Sequence, residues 1–379
     1  MDTPKPRPGS FLALVLATAG FTLCFAVWGL MSPLAPLFAR TYGLNATQTG
    51  LLVAVPVIMG SLARIPIGIY TDRYGARLVF TALLLFLTVP TIGAGLANSY
   101  LLLLFWGFWL GLAGSSFAIG VPMVARWFPP SRHGFALGLY GMGNIGTTLA
   151  LLSAPRLAAA YGPGVAFFVF VPLLVVLGVV FWLVGREPPE FRGRQVTIAE
   201  RLRFLTSKPL AWIFSFFYFV TFGGFVALSI YLPTLLTGVY GLEPADASMR
   251  AAGFVVMATL ARPLGGLASD RWGGIRLLIA VFSGVSIIAI VLAFGPGIVV
   301  ATFAYLGSAF LLGVGNGAVF KLVPTYFQRD TGTVTGLVGA AGGLGGFFPP
   351  IVMGIVRDVT GSYAIGFMLL SEIALVALA

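Results

Sequence analysis

Arg64 and Arg262 are the residues of this sequence with the most chemistry to offer. Each stands inside an apolar stretch, and each precedes an aspartate by eight residues, Asp72 and Asp270 respectively. Eight residues of helix at 1.5 Å per residue place each guanidinium about 12 Å from its aspartate. The half-thickness of a bilayer's hydrocarbon core is roughly 15 Å, so both cations reach its middle. An arginine there costs about 2.5–3.5 kcal/mol even on lenient insertion scales, and something must offset that cost.

The carboxylates do not. Asp2, Asp72, Glu187, Glu190, Glu200, Glu243, Asp246, Asp270, Asp330 and Asp358 fall in loops or at expected helix ends, and only Glu372 lies within a span, the last one. Two central cations facing at most one buried acid leave a positive site, and its natural occupant is an anion. The alternative is that each arginine snorkels or bonds backbone carbonyls. The planar guanidinium fork suits bidentate contact with a planar oxyanion better than a lysine does. Nitrate, nitrite and small carboxylates fit that description; sulfate and phosphate esters fit it less specifically.

The elements that must position these arginines follow from composition. The chain of 379 residues is 59% hydrophobic and 9% charged, with a mean hydropathy of +1.01. A soluble domain carries about 25% charged residues, so lipid is the main solvent here. Apolar runs punctuated by glycine, proline and charge predict twelve transmembrane helices, over 11–39, 46–70, 78–97, 100–126, 134–161, 163–185, 209–238, 248–268, 275–294, 297–326, 333–357 and 362–379. The fold class is an all-α polytopic membrane protein, embedded in a lipid bilayer. Cys24, the single cysteine, lies in the first span and carries no redox information.

The net charge of +11 sits in the loops rather than on a soluble face, which argues against nucleic acid as a partner. One set of loops holds fifteen basic residues, among them Arg73, Arg77, Arg126, Arg271 and Arg276, and the opposite set holds only Arg40, Arg156, Arg250 and Arg357. That asymmetry puts both termini in the cytoplasm. The only long polar stretch, 186–208, is a cytoplasmic linker that divides the chain into a six-helix bundle over 1–185 and a second six-helix bundle over 209–379.

The halves repeat each other at an offset of 198. Arg64, Gly68, Asp72, Arg73 and Gly75 fall on Arg262, Gly266, Asp270, Arg271 and Gly273, and Gly134, Gly138 and Gly141 fall on Gly332, Gly336 and Gly339. Two related bundles around a central midplane site are the symmetry of a rocking transporter. The stretch Gly68-Ile-Tyr-Thr-Asp72-Arg73-Tyr-Gly75-Ala-Arg77, repeated as Asp270-Arg271-Trp-Gly273, resembles the signature of the major facilitator superfamily. The resemblance spans nearly the whole chain and implies the major facilitator fold working by alternating access. Asp72, Arg73, Asp270 and Arg271 are then expected to form a cytoplasmic gate.

The fifth span carries Gly138-Leu-Tyr-Gly141-Met-Gly143-Asn144-Ile-Gly146, and the eleventh carries Gly336-Leu-Val-Gly339-Ala-Ala-Gly342-Gly343-Leu-Gly345-Gly346. Such glycine density lets helix backbones touch a neighbour or a ligand. These segments resemble the paired signatures of the nitrate/nitrite porter family. That resemblance implies Arg64 and Arg262 as substrate-binding arginines, Asn144 as a hydrogen-bond donor, and Tyr218, Phe222, Phe117 and Phe25 as aromatic walls. It casts Gly141, Gly143, Gly146, Gly339, Gly342 and Gly343 as signature or gating glycines. Lys321 and Asn316 are further polar residues inside the tenth span, and His133 is a loop residue.

No catalytic constellation, metal-ligand cluster or cofactor motif stands out, so an enzyme is not expected. The resemblance implies nitrate and nitrite as cargo, handled by a monomer in a membrane of the bacterial inner-membrane type. The central region holds no titratable relay beside the arginines, which favours nitrate/nitrite antiport. Proton-coupled nitrate symport and exchange of small carboxylates such as oxalate and formate are the alternatives.

Overall fold

The computed structural model describes residues 7–129, 132–189, 191, 208–327 and 331–379, and every regular element among them is helical. In chain order these are α1 (Ser10–Trp28), α2 (Met31–Tyr42), α3 (Ala46–Tyr74), α4 (Ala76–Leu96), α5 (Tyr100–Leu110), α6 (Ser116–Trp127), α7 (His133–Gly141), α8 (Gly146–Tyr161), α9 (Pro163–Phe168) and α10 (Phe170–Val184). Beyond residue 208 come α11 (Pro209–Tyr240), α12 (Pro244–Trp272), α13 (Gly274–Ala293), α14 (Ile298–Tyr326), α15 (Thr331–Gly345), α16 (Phe348–Thr360) and α17 (Ala364–Leu378). Most of the expected linker over 186–208 lies outside the described residues.

Among the described residues, ten helical runs are long and apolar enough to cross a membrane. A further rod is His133–Tyr161, in which 3₁₀ geometry over Met142–Ile145 joins α7 to α8, and the last is the 15-residue α17. Large apolar side chains such as Phe11, Leu101, Phe303 and Val359 stand exposed on the outside of the bundle. In water such surface would be a liability; on a membrane-spanning rod it is the lipid-facing side.

Five spans expected to run unbroken are interrupted, for local reasons. The first turns at Gly29–Leu30, because Pro33 has no N–H to donate to the Gly29 carbonyl; Ser32 N bonds that carbonyl instead at 3.2 Å. The fourth tightens to 3₁₀ over Gly111–Ser115 and the fifth over Met142–Ile145, both glycine-containing stretches. The sixth breaks at Val169, where Pro172 leaves the Phe168 carbonyl without its helical donor. The eleventh breaks at Gly346–Phe347, ahead of Pro349 and Pro350.

The 198-residue offset reappears in the backbone. Ala46 and Pro244, Ala76 and Gly274, Tyr100 and Ile298, and His133 and Thr331 are helix starts separated by that spacing. The turn after each signature is made by Gly75 (φ 87°) and Gly273 (φ 85°), a backbone region costly for any residue with a Cβ. Asn45 caps α3 through a reciprocal bond pair with Gln48: Gln48 N donates to Asn45 Oδ1 at 2.8 Å and Asn45 N donates to Gln48 Oε1 at 3.0 Å.

Residues before 189 and after 208 meet at one end of the bundle through a set of polar and close contacts. The Asp358 carboxylate accepts from Ala46 N at 3.0 Å, Thr47 N at 2.8 Å and Thr47 Oγ1 at 2.5 Å. Ser32 Oγ donates to the Ile230 carbonyl at 2.6 Å. Gly50 lies so close to the Pro350 carbonyl that a Cβ would overlap it. At the opposite end two ion pairs among the described residues each lie within one part. Arg126 binds Asp72 at 2.8 Å, and Lys321 binds Asp270 at 2.6 Å.

Candidate anion site

Arg64 projects from α3, where Pro66 two positions later leaves the Leu62 carbonyl free of its helical donor. Its Nε donates to the Gly114 carbonyl at 3.2 Å, in the 3₁₀ turn of the fourth span. Its Nη1 donates to the Gly339 carbonyl of α15. The Arg64 side chain therefore links the two parts of the chain at mid-bundle, using backbone carbonyls that glycine leaves bare. This is the carbonyl-bonded alternative weighed for a lone intramembrane arginine, and Arg64 satisfies it in part.

Arg262 does not. On α12 its guanidinium lies 5.2 Å from the Phe222 ring centre and 5.4 Å from that of Phe225. Its Nε and Nη2 are buried and have no hydrogen-bond partner among the described residues. A buried charged donor left unmade costs upward of about 1–3 kcal/mol, so this cation is poised to accept a ligand. Phe222 is shared: its ring centre is also 5.7 Å from the Arg64 guanidinium, and Phe117 stands 5.8 Å from the same group. Aromatic faces at such distances attract the cations by about 0.5–2 kcal/mol each while keeping water away.

The rings are themselves locked. Tyr218, one turn before Phe222 on α11, stacks on it at 4.9 Å with 1° between the planes. Phe320 of α14 meets the Tyr218 ring edge-on at 4.8 Å and Phe117 at 6.2 Å. A small cleft opens beside them, lined by Phe25, Trp28, Ser61, Arg64, Phe222 and Gly343 among others.

Of the expected site residues, Arg64, Phe222, Phe25 and Gly343 gather at that cleft, and Phe117 and Tyr218 stand directly behind it. Arg262 reaches it only across the Phe222 ring. Asn144 is buried in the 3₁₀ turn; its Nδ2 donates to the Gly141 carbonyl at 2.9 Å and its Oδ1 has no partner among the described residues. The Asn144 turn packs against α12, the helix of Arg262, without lining the cleft.

The signature glycines divide. A Cβ at Gly143 would overlap Phe21, at Gly146 the Thr22 carbonyl, at Gly342 the Tyr218 ring, and at Gly343 the Ser61 hydroxyl. Gly141 has open space around it, and Gly339 has nothing nearer than 4.0 Å. Four of the six are thus required by close helix approach, and Gly339 serves through its carbonyl.

Of the expected gate, Asp72 is held by Arg126 and Asp270 by Lys321; the Arg73 guanidinium lies over its neighbour Tyr74 at 5.1 Å, and Arg271 is exposed. Lys321, a polar residue inside the tenth span, is held in the ion pair with Asp270. Trp28, Ser61, Phe225 and Phe320 were not anticipated. Ser61 carried a signal, because it precedes Arg64 by three residues and so shares its helix face. The others were indistinguishable among 33 phenylalanines and 7 tryptophans.

Neither Arg64 nor Arg262 has a carboxylate partner among the described residues. The arrangement can therefore take up a small anion in an apolar, aromatic-walled space held between two parts of a helical bundle. That is the construction of a polytopic membrane carrier.

The family model of the Major Facilitator Superfamily matches residues 16–350, and the chain belongs to that superfamily. It is 41% identical over 364 residues to the "Nitrite extrusion protein" of Bacillus subtilis, covering 96% of this chain and 92% of that one. It is also 41% identical to the "Probable nitrate/nitrite transporter NarK2" of Mycobacterium tuberculosis, over 97% of this chain and 95% of that protein. Within the superfamily it belongs to the branch these relatives form. Among solved structures, the human organic anion transporter MFSD10 (TETRAN) shares the fold with a TM-score of 0.77 at 16% identity, covering 98% of this chain and 99% of that one. A bacterial homolog to the human lysosomal transporter Spinster, in an inward-facing and unoccupied conformation, matches with a TM-score of 0.73 at 20% identity, over 99% and 95% of the chains.

Proposed function

We propose that this protein exchanges nitrate and nitrite across a membrane, carrying one anion at a time on Arg64 and Arg262. The observation that carries the reading is the pair of arginines sharing one phenylalanine ring, with no carboxylate partner for either among the described residues. A planar anion presents its edges to two forks and its face to an aromatic ring. The names borne by relatives at 41% identity narrow the anion from that class to nitrate and nitrite.

Exchange follows from the charge. Drawing two guanidinium groups together around an empty site sets like charges against each other in a medium of low dielectric. An anion between them removes that penalty, so the loaded carrier reorients and the empty one does not. The moving parts are the six-helix bundles over 1–185 and 209–379, joined by the 186–208 linker. With both termini in the cytoplasm, the end sealed by Asp358, Thr47, Ser32 and Ile230 faces outward. Asp72, Arg73, Asp270 and Arg271 then close the inner end when the outer one opens, and the working unit is the monomer.

Counterflow in proteoliposomes tests this. Uptake of labelled nitrate is expected to need nitrite or nitrate inside the vesicle and to proceed without a pH gradient. Uptake driven by a pH gradient with no internal anion would establish proton symport instead. Preference for oxalate or formate over nitrate would make it a carboxylate exchanger.

A further inference from the structure

Asn316 is the buried polar residue that the site described above leaves unused. It is 1% exposed, and both its Oδ1 and its Nδ2 lack any hydrogen-bond partner among the described residues. An amide with both ends unmade inside a packed helix bundle costs about 1–3 kcal/mol per group relative to one that is satisfied. Its direction follows from its helix. Residues four apart share a face, and the two neighbours of Asn316 on that face both touch α11: Leu312 packs on Gly224, and Phe320 meets the Tyr218 ring. Asn316 thus faces the segment of α11 that carries Phe222.

Arg262 converges on the same place from the next helix. α14 packs so tightly on α12 that a Cβ at Gly317 would overlap the Arg262 carbonyl, and one at Gly313 would overlap that of Ala258. From this shared backbone contact the Arg262 side chain reaches Phe222 and Phe225 on α11, with Nε and Nη2 unpartnered. Two neighbouring helices therefore send a donor-only group and a donor-acceptor group, both unsatisfied, toward one stretch of a third.

We propose that Asn316 is a positioning residue of the anion site: in the loaded carrier Oδ1 accepts an N–H of Arg262 and Nδ2 donates to an oxygen of the bound oxyanion. The amide fixes the plane of the guanidinium fork and supplies a further donor from the second half of the chain. This rests on the reading that Arg262 binds the transported anion.

Asn316→Leu is the direct test, because leucine fills similar space without polar atoms. A merely buried amide would be replaced at little cost or with a gain in stability. A positioning amide would be missed by the substrate: KM for nitrate in exchange is expected to rise about tenfold, equivalent to about 1.4 kcal/mol, with melting temperature unchanged or raised. A KM within about threefold of wild type in a stable Asn316→Leu protein overturns the proposal. Should that variant not fold, Asn316→Asp preserves size and polarity. Its carboxylate is expected to pair with Arg262 and depress nitrate uptake at neutral pH, with recovery as acidification protonates it; uptake equal to wild type at neutral pH overturns the proposal as well. Wild-type protein assayed alongside separates the two readings. Failure of wild type to move nitrate while it moves another oxyanion contradicts the choice of nitrate, and the same KM comparison on that oxyanion then decides the role of Asn316.

Discussion

Arg64 and Gly339, 275 residues apart in the chain, are joined by a hydrogen bond from the arginine Nη1 to the glycine carbonyl. This bond spans the part of the chain before residue 189 and the part after 208. An entering oxyanion offers Arg64 a charged acceptor in place of a neutral carbonyl, roughly doubling the strength of the bond. On the proposed reading, exchange of one partner for the other couples anion loading to α15 and its glycine run.

The fork geometry gives the first prediction. Arg64→Lys and Arg262→Lys keep a cation but lose bidentate contact, and each is expected to lower kcat/KM for nitrate at least tenfold, about 1.5–3 kcal/mol. Wild-type exchange in either variant, measured in proteoliposomes at equal protein density, would count against direct coordination.

Phe222 touches both cations, so its loss is expected to exceed that of any other ring. Phe222→Ala removes two cation–π contacts worth about 0.5–2 kcal/mol each and admits water between the arginines. Nitrate affinity is expected to fall about tenfold or more, whereas Phe225→Ala, which contacts Arg262 alone, is expected to lose less. Equal losses in the two variants, read by competition binding, would remove Phe222 from its central place.

The glycines sort into two classes that transport assays can separate. Gly146→Ala places a Cβ on the Thr22 carbonyl and Gly345→Ala places one on the Phe219 carbonyl, both backbone atoms that cannot step aside. Gly141→Ala and Gly339→Ala meet no such obstacle and gain about 0.5–1 kcal/mol of helix propensity. The first pair is expected to abolish transport or folding, and the second to retain both. Inactive Gly141→Ala would assign that glycine a role in motion rather than packing.

Asp358 closes one end of the bundle by accepting three hydrogen bonds from the first turn of α3, where the helix dipole also favours a negative charge. Asp358→Asn is expected to weaken this seal by about 0.5–2 kcal/mol, shifting the resting population toward opening at that end. A cysteine at Ser32, which bonds Ile230 across the same seam, should then label faster with a membrane-impermeant thiol reagent. Unchanged labelling would mean that the seal does not depend on this carboxylate.

Much of this molecule was legible in its sequence, for uneven reasons. Arg64 and Arg262 stood out because charges inside apolar spans are rare and costly, and the 198-residue repeat put them in equivalent places. Run length accounts for ten of the twelve expected spans; His133–Tyr161 and the 15-residue α17 fall short of that criterion. The helix breaks at Gly29, Val169 and Gly346 do not follow from run length, because a proline is tolerated inside one membrane helix and kinks another according to its packing. The sharing of Phe222 by two arginines is a tertiary fact, invisible in a chain so rich in phenylalanine. Asn316 was visible as a polar residue in a span, but the orphaned state of its amide emerges only from how α14 packs in the bundle.

The central claim is an anion bound by two arginines, and calorimetric titration of the purified protein with nitrate tests it most directly. The wild type is expected to bind one nitrate saturably and to release it on addition of nitrite, and the Arg64→Lys, Arg262→Lys double variant, folded by its melting profile, is expected to show no binding. Wild-type nitrate affinity in that double variant would contradict the claim outright.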